Sequence, residues 1–335
     1  MPKRLLCCIF WVLMYVSGCD DAPKPKIGIS FGVGEAKRWP AEKGYMEERA
    51  QELGMEVETR FNKADAPKTQ MQDCFELIDS GISVLILLIP RDARKANEIL
   101  AYAKKKNVKV ISYARAVMGE DIDFFVGYDT YRIGQSLGLH LTEKTYKGNL
   151  AILKGDKNDF NSPLLYDGAM ISIRPLVERG AIHMILDEYV NGWSVDLAKR
   201  MLTDAIIKND YKIDAVFAHN DIFAGAAAEV VKELGIKNPV IITGMDAETP
   251  ALKRLLKGTQ DATVYMDLKS MAYTAVNEAY NMATKKKPNV NSEFDNESKF
   301  KIDAFLINGK LITRENIDRV LIAPGHFTHE QIYGN

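Results

Sequence analysis

Polar and aromatic side chains recur after short apolar runs of a kind that is typical of buried strands. Asn220 follows the run IDAVFAH and Asp246 follows PVIITG, with the helical segment DIFAGAAAEVVKELG between the two runs. The carboxyl ends of parallel strands meet at one edge of a sheet, where small ligands bind. The other residues at such strand ends are Arg38, Trp39, Arg115, Asn161 and Trp193.

This mixture of residue types suits the surface of a sugar. A sugar ring carries hydroxyl groups around its edge and C–H groups on its faces. Trp39 and Trp193 can stack on the faces, while Arg, Asn and Asp side chains bond hydroxyls in planar forks. Each residue alone has a simpler explanation, such as a core tryptophan or a surface arginine. The prediction of a sugar site therefore rests on their shared location at strand ends.

Catalytic and metal-binding motifs are missing from the sequence. The segment FGVGEAKRW after the first strand is neither a G-x-G-x-x-G loop nor a Walker A loop, and no G-x-S-x-G occurs. The five histidines do not have metal-ligand spacing. For His219, which precedes Asn220, we expect a structural hydrogen bond and not a role as a base. The sequence predicts no enzyme activity, no cofactor and no metal.

Composition places the chain among soluble globular proteins of two domains. It has 335 residues, of which 47% are hydrophobic and 27% charged, with a formal net charge of −1. Nucleic-acid-binding proteins carry basic patches, and this chain has no basic block, which argues against a nucleic-acid partner.

The first residues read as an export leader that is not part of the fold. Lys3 and Arg4 precede the apolar run LLCCIFWVLMYVSG, and Val16-Ser17-Gly18-Cys19 resembles a bacterial lipobox. We expect residues 1–19 to be a signal peptide with lipidation at Cys19, and residues 20–26 to be a tether. The alternatives are an ordinary signal peptide or an uncleaved membrane anchor. Cys74 is the only cysteine after the leader, so no internal disulfide is expected.

Strands and helices alternate at roughly 30-residue spacing, first up to Asp129 and then again from Tyr131, which predicts an α/β fold with two similar Rossmann-like parallel-sheet halves. Two such halves that face each other make a cleft. Within the second half we expect DKNDFNSP to be a loop and a helix to run from Ala169 to Arg179. The polar segment NVNSEFDNES is expected to be a surface loop.

The whole mature chain resembles bacterial periplasmic sugar-binding proteins of the ribose-binding type, and most closely the D-xylose-binding proteins. The matching stretches are KRW, DIDFFVGYD, NGW, KIDAVFAHND, GMDAE and KGTQDATVY. The resemblance implies two lobes joined by a three-segment hinge, with the ligand cleft between them. The implied N-terminal lobe is 27–130 with 268–305, and the C-terminal lobe is 131–265 with 308–327. The crossings are expected near Asp129–Arg132, Met266–Lys269 and Phe305–Asn308.

Carried over by position, the resemblance implies that the strand-end set binds the ligand, with Trp39 and Trp193 on the two faces of the ring. Three positions depart from the pattern of the resembling proteins. Ala114 stands where an acid is expected, Tyr166 where an arginine is expected, and Met266 where a lysine is expected. The additional candidate ligand-binding residues are Lys37, Tyr113, Tyr166 and Met266.

The resemblance implies an extracytoplasmic, lipid-anchored protein that captures a monosaccharide, D-xylose first, by hinge closure. The membrane partner is then either the permease of an ABC importer or the extracytoplasmic domain of a sensor histidine kinase in a two-component system. A transcription regulator with the same core would carry a helix-turn-helix where this chain has its leader.

Overall fold

The computed structural model describes residues 24–32, 38–62, 69–89 and 96–334. The predicted leader with Cys19, most of the tether and the candidate residue Lys37 lie outside these residues. Among the described residues, no helix is both long and apolar enough to cross a membrane.

Strands and helices alternate along most of the described chain. The strands are β1 (Lys26–Phe31), β2 (Glu56–Phe61), β3 (Val84–Leu88), β4 (Lys109–Tyr113), β5 (Phe124–Tyr128), β6 (Gly148–Lys154), β7 (Ile182–Tyr189), β8 (Ala215–Ala218), β9 (Ile241–Thr243), β10 (Thr263–Tyr265), β11 (Ser292–Phe294), β12 (Ile302–Ile307) and β13 (Lys310–Ile312). The helices are α1 (Arg38–Glu52), α2 (Gln70–Asp79), α3 (Asn97–Lys105), α4 (Thr130–Lys144), α5 (Asn161–Glu178), α6 (Val195–Lys208), α7 (Asp221–Glu233), α8 (Thr249–Lys257), α9 (Leu268–Ala283) and α10 (His329–Tyr333).

The first lobe is built on a seven-stranded sheet in the order β11-β12-β5-β4-β3-β1-β2, which is parallel except for the pair β11–β12. Strand β3 shows why the sheet is buried on both faces. Leu85 and Leu87 pack into one core cluster, and Val84, Ile86 and Leu88 pack into another. Helices cover both faces, so the continuous apolar run VLILL fits a central parallel strand.

The second lobe is built on a parallel four-stranded sheet in the order β7-β6-β8-β9, with β10 and β13 forming an antiparallel pair beside it. The chain passes between the lobes three times, after β5, after β10 and after β12. The fold is therefore the predicted α/β architecture with two mostly parallel sheets, and the carboxyl ends of β4, β5, β6, β8 and β9 carry the candidate site residues or lie next to them.

Two segments differ from the sequence-based expectations. Helix α5 begins at Asn161, inside the predicted loop DKNDFNSP, because the Asp159 carboxylate accepts the Asn161 N–H at 3.0 Å and Pro163 is tolerated in a first turn. The predicted surface loop NVNSEFDNES contains β11 and two buried residues, Phe294 and Asn296. The Asn296 amide nitrogen donates to backbone carbonyl oxygens of the β4–β5 connection, at 2.7 and 2.8 Å.

Candidate functional site

Arg38 begins helix α1 and is held from behind by a buried carboxylate. Its Nε lies 2.5 Å from Glu42 Oε1, and the Tyr113 hydroxyl donates to Glu42 Oε2 at 2.5 Å. Burial lowers the pKa of Arg38, but Glu42, Tyr128 and Tyr113 together raise it, and the net direction is upward. Arg38 Nη2 is buried and has no hydrogen-bond partner among the described residues. Glu42 thus fixes the guanidinium of Arg38, while the Nη2 group of that guanidinium lacks a described acceptor.

Trp39 forms part of the core of the first lobe and is only 4% exposed. The guanidinium carbon of Arg38 lies 4.5 Å from the centre of its ring, and that of Arg115 lies 5.7 Å away. Its Nε1 is buried without a hydrogen-bond partner among the described residues. The sandwich of a sugar ring between Trp39 and Trp193 stays a prediction.

Asp246 is the acceptor on the side of the second lobe. Its backbone N–H donates to Val264 O at 3.0 Å, which fixes the residue at the strand end with a φ of 109°. This left-handed region is strained for a residue with a side chain, and such strain is concentrated at functional sites. Within the described chain, no group donates a hydrogen bond to its carboxylate. The carboxylate is therefore available to a ligand.

Burial and the charged groups around Asp246 shift the pKa of its carboxylate in opposite directions. Burial raises its pKa well above the usual value, the nearby carboxylate of Asp221 raises it further, and Arg38 from the first lobe lowers it. Arg38 thus acts on the carboxylate of Asp246 from the opposite lobe, and no described salt bridge joins the two side chains. A ligand with hydroxyl groups can fill the space between an unsatisfied donor and an unsatisfied acceptor.

Asp221 holds the second-lobe wall together from behind. Its carboxylate accepts hydrogen bonds from Gln260 Nε2 at 2.8 Å, Thr263 Oγ1 at 2.8 Å and the Glu248 N–H at 3.0 Å. Burial raises its pKa to about 7 despite these three donors. Because these contacts tie α7 to the start of α8 and to β10, they fix the strand end that carries Asp246.

Asn220 and His219 end β8 with different roles. Asn220 Oδ1 accepts the Phe223 N–H at 2.8 Å and caps α7, where the sequence allows either Asn220 or Asp221 as the cap, while its amide nitrogen makes no described hydrogen bond. His219 Nδ1 accepts the Gly155 N–H at 3.1 Å, which is the structural hydrogen bond expected for it. Burial lowers the pKa of His219 to about 3, so the ring is neutral at ordinary pH. Asn220 thus retains an amide donor for a ligand.

Trp193 lies half-buried after β7, against a glycine. A Cβ at Gly155 would overlap the six-membered ring of Trp193 and the Ser162 hydroxyl. The Trp193 ring also contacts the fully buried ring of Phe223, with the two ring centres 5.5 Å apart. The absence of a side chain at Gly155 therefore sets how deep Trp193 lies in the second lobe.

Arg115 and Asn161 lie where the lobes touch. Arg115 Nη2 is 3.5 Å from the Asp159 carboxylate of the second lobe. Asn161 Oδ1 accepts the Thr130 hydroxyl at 3.0 Å, next to the first crossing. The rings of Phe160 and Phe294 meet edge to face at 5.0 Å across the same boundary. The lobes are therefore in contact beside the candidate site.

The departures from the sugar-binding pattern take on other contacts. The Tyr166 hydroxyl donates to Asp187 at 2.8 Å, and Lys154 pairs with the other oxygen of that carboxylate at 2.9 Å. Burial raises the pKa of Tyr166 to about 12, and the hydrogen bond to Asp187 adds to the shift. Met266 is buried in the core of the second lobe, and Ala114 has a φ of 60° after β4. None of these side chains supplies a charge to the cleft.

The structure thus brings Arg38, Asp246 and Trp39 toward one region, places Arg115 and Asn161 at the lobe boundary, and commits the hydroxyl of Tyr113 to Glu42. Sequence reasoning missed Glu42 and Tyr128. The Tyr128 hydroxyl is buried without a partner among the described residues, close to Arg38 and Glu42. The strand-end rule applied to DFFVGYD would have found Tyr128, and the helical spacing from Arg38 would have pointed to Glu42.

Two parallel-sheet lobes with unsatisfied polar groups at facing strand ends define a solute-binding protein, in which a small ligand lies between the lobes. The sequence supports this class directly. Residues 27–287 match the periplasmic binding protein domain family, and the chain belongs to that family.

Individual relatives are sugar-binding proteins. The chain is 28% identical over 331 residues to the D-xylose-binding periplasmic protein of Haemophilus influenzae, covering 99% of each chain. An ABC transporter solute-binding protein from Clostridium phytofermentans, solved with bound β-D-glucose, has a TM-score of 0.82 at 24% identity, covering 92% of this chain and 99% of that one. A fructose-binding periplasmic domain of a hybrid two-component system has a TM-score of 0.73 at 22% identity, covering 90% and 95%.

Proposed function

We propose that this protein captures a monosaccharide in the cleft between its lobes and performs no chemistry on it. The observation that carries the proposal is the pair of Arg38 and Asp246: within the described residues, the buried Arg38 Nη2 has no partner, and the carboxylate of Asp246 in the other lobe accepts no hydrogen bond. Sugar hydroxyls both donate and accept hydrogen bonds, so one ligand satisfies both groups. Closure of the lobes shields these bonds from water, where each charge-assisted bond contributes about 1.5–3 kcal/mol.

D-Xylose is the first candidate ligand. The relative with which this chain aligns over 99% of both lengths is a D-xylose-binding protein. The predicted hydroxyl-binding residues Arg38, Arg115, Asn161, Asn220 and Asp246 are present, whereas the departures at other positions alter part of the pocket. A related pentose or hexose is therefore the alternative ligand within the same proposal.

A thermal-shift panel of D-xylose, D-ribose, D-glucose and D-fructose tests the proposal, followed by calorimetry of each sugar that gives a shift. A ligand at 100 times its Kd stabilises the folded state by about 2.7 kcal/mol, so we expect a rise in Tm of about 5 °C or more for the bound sugar. Asp246→Ala and Trp193→Ala should each abolish measurable binding. Asp303→Ala is the matched control, because Asp303 is exposed on β12. A wild-type protein that binds none of these sugars would contradict the proposal.

The proposed partner is the permease of an ABC importer, to which the closed form presents the sugar. The alternative is a sensor histidine kinase that reads the closed form, so that the protein reports sugar outside the cell. This alternative is favoured by the fold shared with the periplasmic domain of a hybrid two-component system, and by the loss of charged contacts at Ala114, Tyr166 and Met266.

Deletion of the protein from its cell separates the two roles. The importer role requires that uptake of the labelled sugar falls, whereas the sensor role requires that uptake stays constant under forced transporter expression while sugar-dependent induction is lost. An outcome in which neither uptake nor induction changes would contradict both roles.

We also propose that Cys19 anchors the protein by a covalent lipid at the outer face of the cell membrane. The support is the lipobox-like sequence Val16-Ser17-Gly18-Cys19 after an apolar run. Mass spectrometry of the mature N-terminus should show a lipidated cysteine, and Cys19→Ala should lose the lipid. An unmodified N-terminus at another residue would instead indicate an ordinary signal peptide.

A further inference from the structure

Tyr128 is the last residue of β5 and stands at the first crossing between the lobes. Its side chain packs against core residues of the first lobe and also against core residues of the second. The following residue, Asp129, donates its N–H to Ile307 O at 3.0 Å, next to the crossing after β12. Tyr128 therefore lies at the floor of the cleft, where the lobes meet.

The hydroxyl of Tyr128 is buried and has no hydrogen-bond partner in the described part of the chain. Buried hydroxyls are ordinarily paired, and an unpaired one destabilises the fold. Tyr113 on the neighbouring strand shows the ordinary situation, since its hydroxyl donates to Glu42 at 2.5 Å. An unpaired buried hydroxyl next to a ligand cleft points to a partner that arrives with the ligand.

The charged neighbours of this hydroxyl belong to the candidate site. Burial raises the pKa of Tyr128, Arg38 lowers it and Glu42 raises it, so both groups lie close to the phenol oxygen. Arg38 Nη2 is itself buried without a partner among the described residues, and Arg38 also acts on the carboxylate of Asp246. Arg38 Nη2 and the Tyr128 hydroxyl are thus two buried donors without described partners, and Arg38 also acts on the carboxylate of Asp246.

We propose that Tyr128 is a ligand-binding residue, and that its hydroxyl, Arg38 Nη2 and the Asp246 carboxylate together bind one hydroxyl group of the sugar. This inference rests on the proposed function. A sugar hydroxyl accepts two hydrogen bonds and donates one. It accepts from the Arg38 N–H and the Tyr128 O–H, and it donates its own proton to Asp246. Every group then has a partner of the right polarity.

This arrangement also gives a reason for the apolar residue at Met266. The sugar-binding pattern places a lysine there, next to Tyr265 and Asp267, and both of these residues act on the pKa of Tyr128. Met266 is 7% exposed and belongs to the core of the second lobe. Met266 therefore adds no charge near the Tyr128 hydroxyl.

Tyr128→Phe tests the inference, because it removes only the hydroxyl. The ligand is whichever of D-xylose, D-ribose, D-glucose and D-fructose binds the wild type most tightly in calorimetry. We expect the variant to lose affinity by about fivefold or more. Tyr146→Phe is the matched control, because Tyr146 is 60% exposed in the second lobe, and it should bind as the wild type does.

Two further measurements separate a ligand contact from a structural role. The ligand-free Tm of Tyr128→Phe should stay the same or rise, since an unpaired hydroxyl is removed, whereas Tyr113→Phe should lower it. Monodeoxy analogues of the same sugar, each lacking one hydroxyl, identify the hydroxyl that is bound. The analogue that binds the wild type most weakly lacks that hydroxyl. Its affinity for Tyr128→Phe should be nearly the same as its affinity for the wild type, because the Tyr128 hydroxyl has no partner on this analogue.

Failure of the inference is distinguishable from failure of the proposed function. If the wild type binds no sugar of the panel, the proposed function fails and the inference fails with it. If the wild type binds and Tyr128→Phe binds within twofold of it, only the inference is overturned, and water fills the place next to the Tyr128 hydroxyl in the complex.

Discussion

Gly155→Ala tests whether the depth of Trp193 controls the site. The new methyl group would occupy space that the Trp193 ring and the Ser162 hydroxyl now fill. Carbon atoms attract at about 3.5–4.0 Å, so the ring must move by more than about 1 Å. It cannot move toward Phe223, because that ring is fully buried and its backbone is fixed to Asn220. We therefore expect Trp193 to shift toward the cleft.

Overpacking of this kind costs about 1–3 kcal/mol, and each 1.4 kcal/mol is tenfold in affinity. If the cost falls on the closed complex, the sugar should bind about fivefold to a hundredfold more weakly. The expected signature is a higher Kd with a changed Trp193 emission spectrum. Because the Gly155 N–H still reaches His219, the backbone of β6 should keep its place, and unfolding should stay cooperative.

Calorimetry with the best sugar of the panel measures the effect, with Gly44→Ala as the matched control. A Cβ at Gly44 would meet no heavy atom within 4 Å, and the residue lies in the middle of α1. That variant should bind normally and gain about 1 kcal/mol of stability from its helix propensity. Binding by Gly155→Ala within twofold of the wild type would show that the position of Trp193 does not govern recognition.

Three other perturbations follow from the same geometry. Sugar affinity measured by calorimetry should rise with pH, because burial raises the pKa of Asp246 and the donating sugar hydroxyl prefers the ionised carboxylate. An affinity that does not change with pH would exclude Asp246 as the acceptor of that hydroxyl. The pKa of Asp221 is about 7 in the folded state and about 3.9 in the unfolded state, so the folded state holds the proton more tightly. The protonated Asp221 side chain therefore contributes its full stabilisation of the folded state below about pH 4. That contribution is lost as pH rises through about 7. Denaturant titrations of Asp221→Asn should therefore show a weaker fold and a smaller loss of stability between pH 4 and 7; an unchanged slope would argue against that pKa. Phe160→Ala should weaken sugar binding about fivefold, because it removes the contact with Phe294 across the lobe boundary. Phe300→Ala is the control, because Phe300 is 63% exposed, and this variant should bind as the wild type does. Equal affinities of the two variants would show that the contact of Phe160 with Phe294 does not stabilise the closed form.

The alternation of strands and helices was predictable because local signals agree with one another. The run VLILLI predicts a central buried strand, and Val84–Leu88 is one, with alternate residues in separate cores. Asn220 predicts the start of a helix that Gly235 ends, and the helix runs from Asp221 to Glu233 with Gly235 at a φ of 66°. Where periodicity and caps coincide, the sequence alone places an element to within a few residues.

Strand β11 and the first turns of α5 escaped prediction, whereas the later part of α5 lies within the helix predicted from Ala169 to Arg179. Strand β11 contains one apolar residue, Phe294, in a polar window, and only its contacts with Phe125 at 4.8 Å and with Phe160 explain its burial. The first turns of α5 depend on Asp159, whose carboxylate serves both the Asn161 N–H and Arg115 of the other lobe. No local pattern encodes the contacts of Phe294 with Phe125 and Phe160, or that of Asp159 with Arg115 of the other lobe.

The sequence likewise predicts one part of the candidate site and not the other. The strand-end rule predicts Arg38 and Asp246 as candidates, and Arg38 lowers the pKa of Asp246 from the opposite lobe. The rule does not predict which side chains stand behind them. Tyr113, a candidate ligand-binding residue by sequence, instead bonds Glu42, and through it fixes Arg38. Sequence position identifies the edge of the sheet, and hydrogen bonding decides which side chain on that edge is available to a ligand.

The altered positions follow a common physical logic. At Tyr166, the hydroxyl and Lys154 share the carboxylate of Asp187, so the charges there neutralise each other inside the second lobe. At Met266, an apolar side chain is buried in the core and brings no charge to the floor. Among the described candidate residues, the charged groups that remain are Arg115, which is paired with Asp159, and the two residues Arg38 and Asp246. A pocket of this kind recognises few hydroxyl groups through strong bonds, so its affinity should depend steeply on the sugar stereocentre that lies between those two residues.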